Sequence, residues 1–130
     1  MNRTKIEALS AEICMKYYDN DYMSFLEQFD DDALWYGPCK GQFLHGRETM
    51  IKTWNKEEHT LTFTLGNVKT TMISSHPSFC DVMVSFPVIT HYPNGEDISV
   101  DQRVLLTWGE RTLSTVSFIP RQKKLRCFLP

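Results

Sequence analysis

A chain of 130 residues has the length of one domain, and we expect a single domain over residues 1–130. Its residues are 42% hydrophobic and 23% charged, a composition that excludes a disordered or fibrous chain. The formal net charge of -2 gives no global attraction to phosphate backbones or anionic lipids, so neither nucleic acid nor membrane is an expected partner of this segment.

The terminal segments suggest a cytoplasmic protein. The N-terminal stretch lacks the apolar centre of a signal peptide, and no apolar run reaches the roughly 18 residues of a membrane helix.

At the C-terminal end, residues 121–130 form a basic tail with Arg121, Lys123, Lys124 and Arg126. A short charged run is typical of a solvated tail, and it could also begin a linker to a further domain.

Neither the cysteines nor the histidines show the spacing of metal ligands. The cysteines are Cys14, Cys39, Cys80 and Cys127, and the histidines are His45, His59, His76 and His91. Without close Cys pairs or an H-x-H or H-E-x-x-H motif, the cysteines are expected to be buried or half-buried thiols. We therefore expect no metal and no cofactor.

Helical periodicity dominates the first half of the chain. Apolar residues recur every three or four positions from Thr4 to Tyr18, and the same spacing returns on a shorter stretch from Tyr22 to Phe29. Asn20 or Asp21 could cap this second helix, and Asp30-Asp31-Asp32 is expected to end it. A third helix is expected from Arg47 to Glu58, with Trp54 on its apolar side.

The rest of the chain predicts strands. Two short strands are expected at Ala33–Tyr36 and Gln42–His45. Four long ones are expected at Thr60–Ser74, Phe79–Tyr92, Ile98–Trp108 and Leu113–Ile119. Gly66-Asn67 interrupts the alternation of the first long strand, which indicates a bulge or bend. The sequence thus predicts an α+β fold with three N-terminal helices on one face of a curved, mostly antiparallel sheet.

Three segments resemble the opening of SnoaL-like proteins of the nuclear transport factor 2-like superfamily. They are Tyr17–Asp21, Phe29–Trp35 and Gly46–Glu48, and the later strands extend the likeness over nearly the whole chain. The resemblance implies a cone that encloses a ligand between the helices and the concave sheet. Its members include isomerases, cyclases, dehydratases and non-catalytic binding or sensory modules, so the fold alone does not assign an activity.

The catalytic residues of ketosteroid isomerases, which share this fold, are not matched here. Alignment through the acidic run places the catalytic base at Gly37, the oxyanion-binding Tyr at Ile13 and the protonated acid near Arg103. His45 and Asp101 are the remaining candidates for acid/base work, and each has a non-catalytic alternative. A lone His is commonly structural or solvated, and the polar neighbours of Asp101 indicate the outer sheet face.

The predicted ligand-binding residues combine large aromatic side chains with one amide. They are Tyr17, Trp35, Trp54, Phe86 and Gln102. Gln102 is the polar exception on a strand face that is otherwise apolar, so it either anchors a ligand or hydrogen bonds to a neighbouring side chain or to water. The aromatic residues could likewise be core or pocket wall, which in a cone are one continuous surface.

The family resemblance, together with the residue patterns, implies three alternative functions. The first is a sensory or binding domain for a small hydrophobic molecule, part of a bacterial signalling or transcriptional regulator. The second is a SnoaL-like enzyme (isomerase, cyclase or dehydratase) for a hydrophobic carbonyl or polyketide-like compound, and the third is a dimerisation module. A homodimer is expected through the outer sheet face, whose residues are Met83, Ser85, Pro87, Ile89, Leu105 and Thr107.

Overall fold

The computed structural model describes residues 2–38, 42–57 and 59–119. The helices are α1 Arg3–Tyr18, α2 Tyr22–Leu26 and α3 Arg47–Lys56. The strands are β1 Phe29–Tyr36, β2 Phe43–His45, β3 Thr62–Leu65, β4 Lys69–Ser75, β5 Cys80–His91, β6 Asp97–Trp108 and β7 Leu113–Ile119. The basic tail, Cys39, Cys127 and the predicted helix end at Glu58 lie outside the described residues.

The predicted helices are found close to their expected positions. Asn2 caps α1, because its side-chain oxygen accepts a hydrogen bond from the Lys5 backbone N–H at 2.8 Å. Asn20 adopts a left-handed conformation with φ 61°, which turns the chain between α1 and α2. Asp21 takes the N-cap position of α2 without a side-chain hydrogen bond, so the capping role proposed for it is not seen.

The expectation that Phe29 ends a helix and that Asp30-Asp31-Asp32 follows it as a turn is wrong. All four residues belong to β1, which runs parallel to β7 and pairs Phe29 with Leu113. The Leu113 N–H donates to the Gln28 carbonyl at 2.7 Å, which holds the start of β1 in the sheet. The register shifts between Phe29 and Leu34, and this irregularity leaves the three carboxylates exposed.

The expectation of one long strand from Thr60 to Ser74 is also wrong. It is divided into β3 and β4, which pair with different halves of β5. The division falls at the Gly66-Asn67 step, where the Gly66 N–H donates to the Pro87 carbonyl at 2.9 Å. A Cβ at Gly66 would lie 2.3 Å from Pro87 Cγ, so this close approach requires glycine.

The sheet therefore has seven strands in the described chain, rather than four long and two short ones. Its order is β2-β1-β7-β6-β5-β3, with β4 also paired to β5. Only β1 and β7 are parallel among these pairs, so the prediction of a mostly antiparallel sheet is confirmed. None of the helices described here is both long and apolar enough to span a membrane.

The core lies between the helices and the inner sheet face. Helix α1 contacts β3, β4 and β5, and α3 contacts β1 and β2. Alternate residues of β5 and β6, such as Val82, Val84 and Leu106, are fully buried on this face. A polar link fixes α1 to the sheet, since Trp108 Nε1 donates to Ser10 Oγ at 2.9 Å, and Ser10 Oγ donates to the Ile6 carbonyl at 2.8 Å.

Candidate functional site

A cluster of aromatic rings fills the space between α1, α2, α3 and the sheet, with Tyr17 at its centre. The Tyr17 ring centroid lies 5.2 Å from that of Trp35, 5.3 Å from Phe118 and 6.4 Å from Trp54. The rings are tilted relative to one another, the arrangement that aromatic pairs prefer. The last turn of α1 directs Tyr17 onto the inner faces of β1 and β7, which carry Trp35 and Phe118.

Three of the five predicted binding residues thus meet in one cluster. Phe86 reaches it through Tyr18, whose ring is edge-on to Phe86 at 5.5 Å and lies beside Tyr17 at 5.1 Å. Trp35 and Phe86 are buried, whereas Trp54 is half-buried. The cluster therefore extends from the core to the surface at Trp54.

Trp54 is held between two other rings at this surface. The Tyr22 ring is parallel to it, with a centroid distance of 4.1 Å and an interplanar angle of 2°. The His59 imidazole stacks on it at 3.7 Å and 23°. Two rings so close to one centroid would overlap on a single face, so Tyr22 and His59 must cover opposite faces of the indole.

Ionisable groups surround the same end of α3. Burial raises the pKa of the Glu57 carboxyl, and the neighbouring His59 opposes that shift. Burial also raises the pKa of Tyr17 and Tyr22 well above the ordinary phenol value, and the Glu57 carboxyl adds to both shifts. At neutral pH the two tyrosines are therefore neutral hydroxyls, able to donate and accept hydrogen bonds.

Gln102 lies on the inner face of β6, opposite Phe86 on β5, and is fully buried. Its Nε2 atom donates to the backbone carbonyls of Arg103 and Ile119, each at 3.2 Å. Both amide hydrogens therefore have backbone acceptors, one of them at the end of β7. The partners are backbone carbonyls rather than the side chain or water expected from the sequence, and the bond to Ile119 lets Gln102 hold β6 and β7 together.

We expect Gln102→Leu to lower the free energy of unfolding by about 1–3 kcal/mol, because two backbone carbonyls would lose a buried donor. Thermal unfolding checks this, and the melting temperature should fall by several degrees. Asp101→Asn on the exposed neighbour is the control and should leave the melting temperature unchanged. A Gln102→Leu protein of unchanged stability that binds its ligand more weakly would favour the ligand-anchor alternative instead.

The two weak catalytic candidates lie away from the aromatic cluster. Asp101 is exposed and pairs with Pro87 on the outer sheet face. His45 is exposed at the end of β2, opposite Leu34, whereas the inward Trp35 pairs with Leu44. Neither side chain points to the interior, so the geometry lends no support to either as an acid or base acting on an enclosed ligand. In the described part of the chain, no three His, Cys, Asp or Glu side chains converge as metal ligands.

Sequence reasoning missed Tyr22, Glu57 and His59 as members of this site. The spacing of apolar residues placed Tyr22 on the apolar face of α2. It did not show that Tyr22 stacks on Trp54, because Trp54 belongs to α3. Glu57 and His59 lie beyond the last residue of α3, where helical periodicity has ended. The only local signal was three polar, ionisable side chains in a row directly after an amphipathic helix.

The arrangement of helices, curved sheet and enclosed aromatic core defines a class, the cone-shaped α+β fold of nuclear transport factor 2-like, SnoaL-like and cystatin-like proteins. The resemblance seen in the sequence is thereby confirmed at the level of the fold. The sequence matches no protein-family model and no curated protein sequence.

Solved structures of this class superimpose over most of the chain. A ketosteroid isomerase-like protein from Erwinia carotovora atroseptica covers 91% of this chain and 96% of its own, with a TM-score of 0.71 and 11% identity. A candidate polyketide cyclase from Xanthomonas campestris covers 91% of each chain, with a TM-score of 0.69 and 13% identity. The association domain of C. elegans CaMKII covers 89% of this chain and 93% of its own, with a TM-score of 0.62 and 13% identity. At such identities the likeness establishes the fold alone.

Proposed function

We propose that this chain is a binding domain for a small hydrophobic molecule, which enters the cone beside Trp54. The observation that carries the proposal is the continuity of the aromatic cluster, from buried Trp35 and Phe118 through Tyr17 to half-buried Trp54. An apolar wall with a few polar groups at its opening is the common composition of a small-molecule site. Here the polar groups are the Tyr17 and Tyr22 hydroxyls and the Glu57 carboxyl.

The five residues predicted from the sequence keep their place in this proposal with different roles. Trp54 and Tyr17 form the entrance, and Trp35 and Phe86 form the deeper wall. Gln102 borders that wall next to Phe86 and holds the sheet behind it. Ligand entry requires movement of Trp54, since the rings behind it are already in contact.

The same geometry supports a sensory role. The acid/base candidates His45 and Asp101 are exposed and lie outside the cone, so they would not convert a molecule bound inside it. Movement of Trp54 on binding would shift α3, which packs against β1 and β2. A regulatory domain needs ligand binding to be coupled to the movement of a structural element such as α3. The bacterial regulator suggested by the sequence is the context in which such coupling would be used.

Trp54→Ala tests the entrance. With the neutral fluorescent probe N-phenyl-1-naphthylamine, we expect the variant to bind about tenfold more weakly, because one stacked ring contributes about 1–3 kcal/mol to binding. Trp54→Phe keeps a ring at the same position and should retain most of the affinity. Fluorescence titration gives both values. Equal affinities for all three proteins would show that the probe binds elsewhere and would contradict the proposed entrance.

The enzyme alternative is favoured by one observation, the raised pKa of Glu57 beside two tyrosine hydroxyls. A carboxyl whose pKa is raised by burial is a better general acid than an ordinary carboxyl at neutral pH. The binding domain and the enzyme differ in what happens to a captured molecule. NMR spectroscopy and mass spectrometry of a ligand recovered after prolonged incubation would show it unchanged for a binding domain and isomerised, cyclised or dehydrated for an enzyme, since an isomer has the same mass as the original molecule and is recognised only by its NMR spectrum.

A homodimer through the outer sheet face is part of the proposal. The six residues predicted for this face alternate with buried ones along β5 and β6, and all are partly or fully exposed. The likeness to the CaMKII association domain supports assembly of the fold through its own surfaces. A dimer would give a sensory domain the two-fold symmetry that many regulators use.

A further inference from the structure

We propose that the His59 imidazole occupies the place of the natural ligand's ring on Trp54, and that this ligand is a planar heteroaromatic molecule with a ring N–H donor. The inference rests on the proposed function and names the class of ligand that binds at the entrance of that site, on Trp54. In this structure His59 is an internal occupant that a ligand must displace. His59 therefore lowers the affinity of the site, whereas an ordinary pocket residue would raise it.

The first step of the argument is the position of His59. Its ring covers the outer face of Trp54 at 3.7 Å, the spacing at which a flat ligand would stack on an indole. The inner face is already closed by Tyr22, which is buried. His59 itself is exposed and lies in the connection between the end of α3 at Lys56 and the start of β3 at Thr62. The outer face of Trp54 is thus the one that can be vacated.

The second step is the hydrogen bond at the edge of the imidazole. His59 Nε2 lies 2.9 Å from the Trp54 backbone carbonyl. A carbonyl oxygen only accepts, so Nε2 must carry the hydrogen. The same carbonyl accepts the Glu57 backbone N–H at 3.2 Å, and it belongs to the last turn of α3. A ring that replaced the imidazole without an N–H would leave this carbonyl with one bond fewer.

The third step is charge. The C-terminal end of a helix carries partial negative charge on its last carbonyls, and the Glu57 carboxyl lies close enough for His59 to lower the pKa of that carboxyl. This environment favours a ligand edge with a hydrogen-bond donor and disfavours a carboxylate or phosphate. Stacking on Trp54 requires a planar ligand, and the Trp54 carbonyl requires a hydrogen-bond donor on its edge. These two requirements together define the ligand class.

The experiment compares His59→Ala with His76→Ala. His76 is a matched control, because it is an exposed histidine stacked on a surface aromatic residue, Phe79, at 4.3 Å and 23°. The probes are indole and N-methylindole, which share one ring system and differ in the N–H donor. Ligand-observed NMR titration gives the affinities, and thermal unfolding verifies that both variants are folded.

We expect His59→Ala to bind indole about fivefold to tenfold more tightly than the unsubstituted protein, because an internal competitor has been removed. His76→Ala should be unchanged. N-methylindole should bind to His59→Ala at least about fivefold more weakly than indole, since it cannot donate to the Trp54 carbonyl.

Each contrary outcome identifies what fails. If His59→Ala binds indole no better than the unsubstituted protein, His59 is not an internal occupant. If the two probes bind His59→Ala equally, the donor requirement is wrong while the apolar site of the proposed function stands. If neither probe binds any of the proteins at millimolar concentration and N-phenyl-1-naphthylamine does not bind either, the proposed function fails as well.

Discussion

Phe118→Ala should lower the free energy of unfolding by about 3–5 kcal/mol, the cost typical of truncating a buried Phe. Phe118 is 1% exposed and lies on the inner face of β7, with its ring 4.9 Å from Trp35 and 5.3 Å from Tyr17. Truncation would remove the contacts of two larger rings at once and open a void that the surrounding sheet cannot close. For a domain of this size, the melting temperature should fall by about 10–20 °C.

Phe79→Ala is the matched control for this experiment. Phe79 is 43% exposed just before β5, where it stacks on His76. Its truncation should cost less than about 1 kcal/mol, because no core void forms. Urea unfolding of the two variants gives both values on one scale. If the two variants lost similar amounts of unfolding free energy, packing in the aromatic cluster would not be a main contribution to the stability of this domain.

The periodicity of apolar residues was sufficient to predict the helices and strands that turn one regular face to the core. Helix α1 buries Ile6 and Ile13, as the spacing of apolar residues requires, and β5 buries every second residue from Cys80 to Val88. In both elements one face meets the core along its whole length. The side-chain pattern therefore reports the contact directly.

The two wrong assignments have one physical cause, which is pairing between distant segments. Asp30, Asp31 and Asp32 are poor strand formers by themselves, and they lie in a strand because β7, more than 80 residues later, pairs with β1 on both sides of them, at Phe29 and from Leu34 onward. The division at Gly66 was visible as a break in alternation. That both halves pair with β5 depends on a tertiary contact with Pro87 that no local pattern encodes.

The candidate site divides in the same way. Tyr17, Trp35 and Trp54 come together because helix and strand parity already directed them inward. Gln102 was recognisable as a polar residue on an apolar face, but its acceptor is the carbonyl of Ile119, 17 residues further along. His59 lies in the connection between α3 and β3, where apolar residues follow no helical or strand repeat. Only the folded chain therefore shows that His59 stacks on Trp54.

The outer sheet face is the surface on which the proposed dimer depends. Met83 lies on this face one strand from the edge of the sheet, between Thr71 on β4 and Leu105 on β6. Towards β1 and β2 the same face continues to Tyr36 and Phe43, whose rings pack at 4.9 Å and of which Phe43 is 50% exposed. The apolar side chains on this face are stabilised when a second copy covers them.

Met83→Glu should convert the dimer to monomer by placing an unpaired carboxylate within that interface. Burying a charge without a partner costs several kcal/mol, and at about 3 kcal/mol the dimer dissociation constant already rises more than 100-fold. The fold should survive, because in a monomer the Met83 side chain is partly open to water and the carboxylate can be hydrated. Met23→Glu is the matched control, since Met23 is 62% exposed on α2, away from the sheet, and its replacement should leave the dimer intact. Sedimentation velocity at tens of micromolar measures all three proteins. If the unsubstituted chain is already a monomer there, or if both variants remain dimeric, the outer face is not the interface.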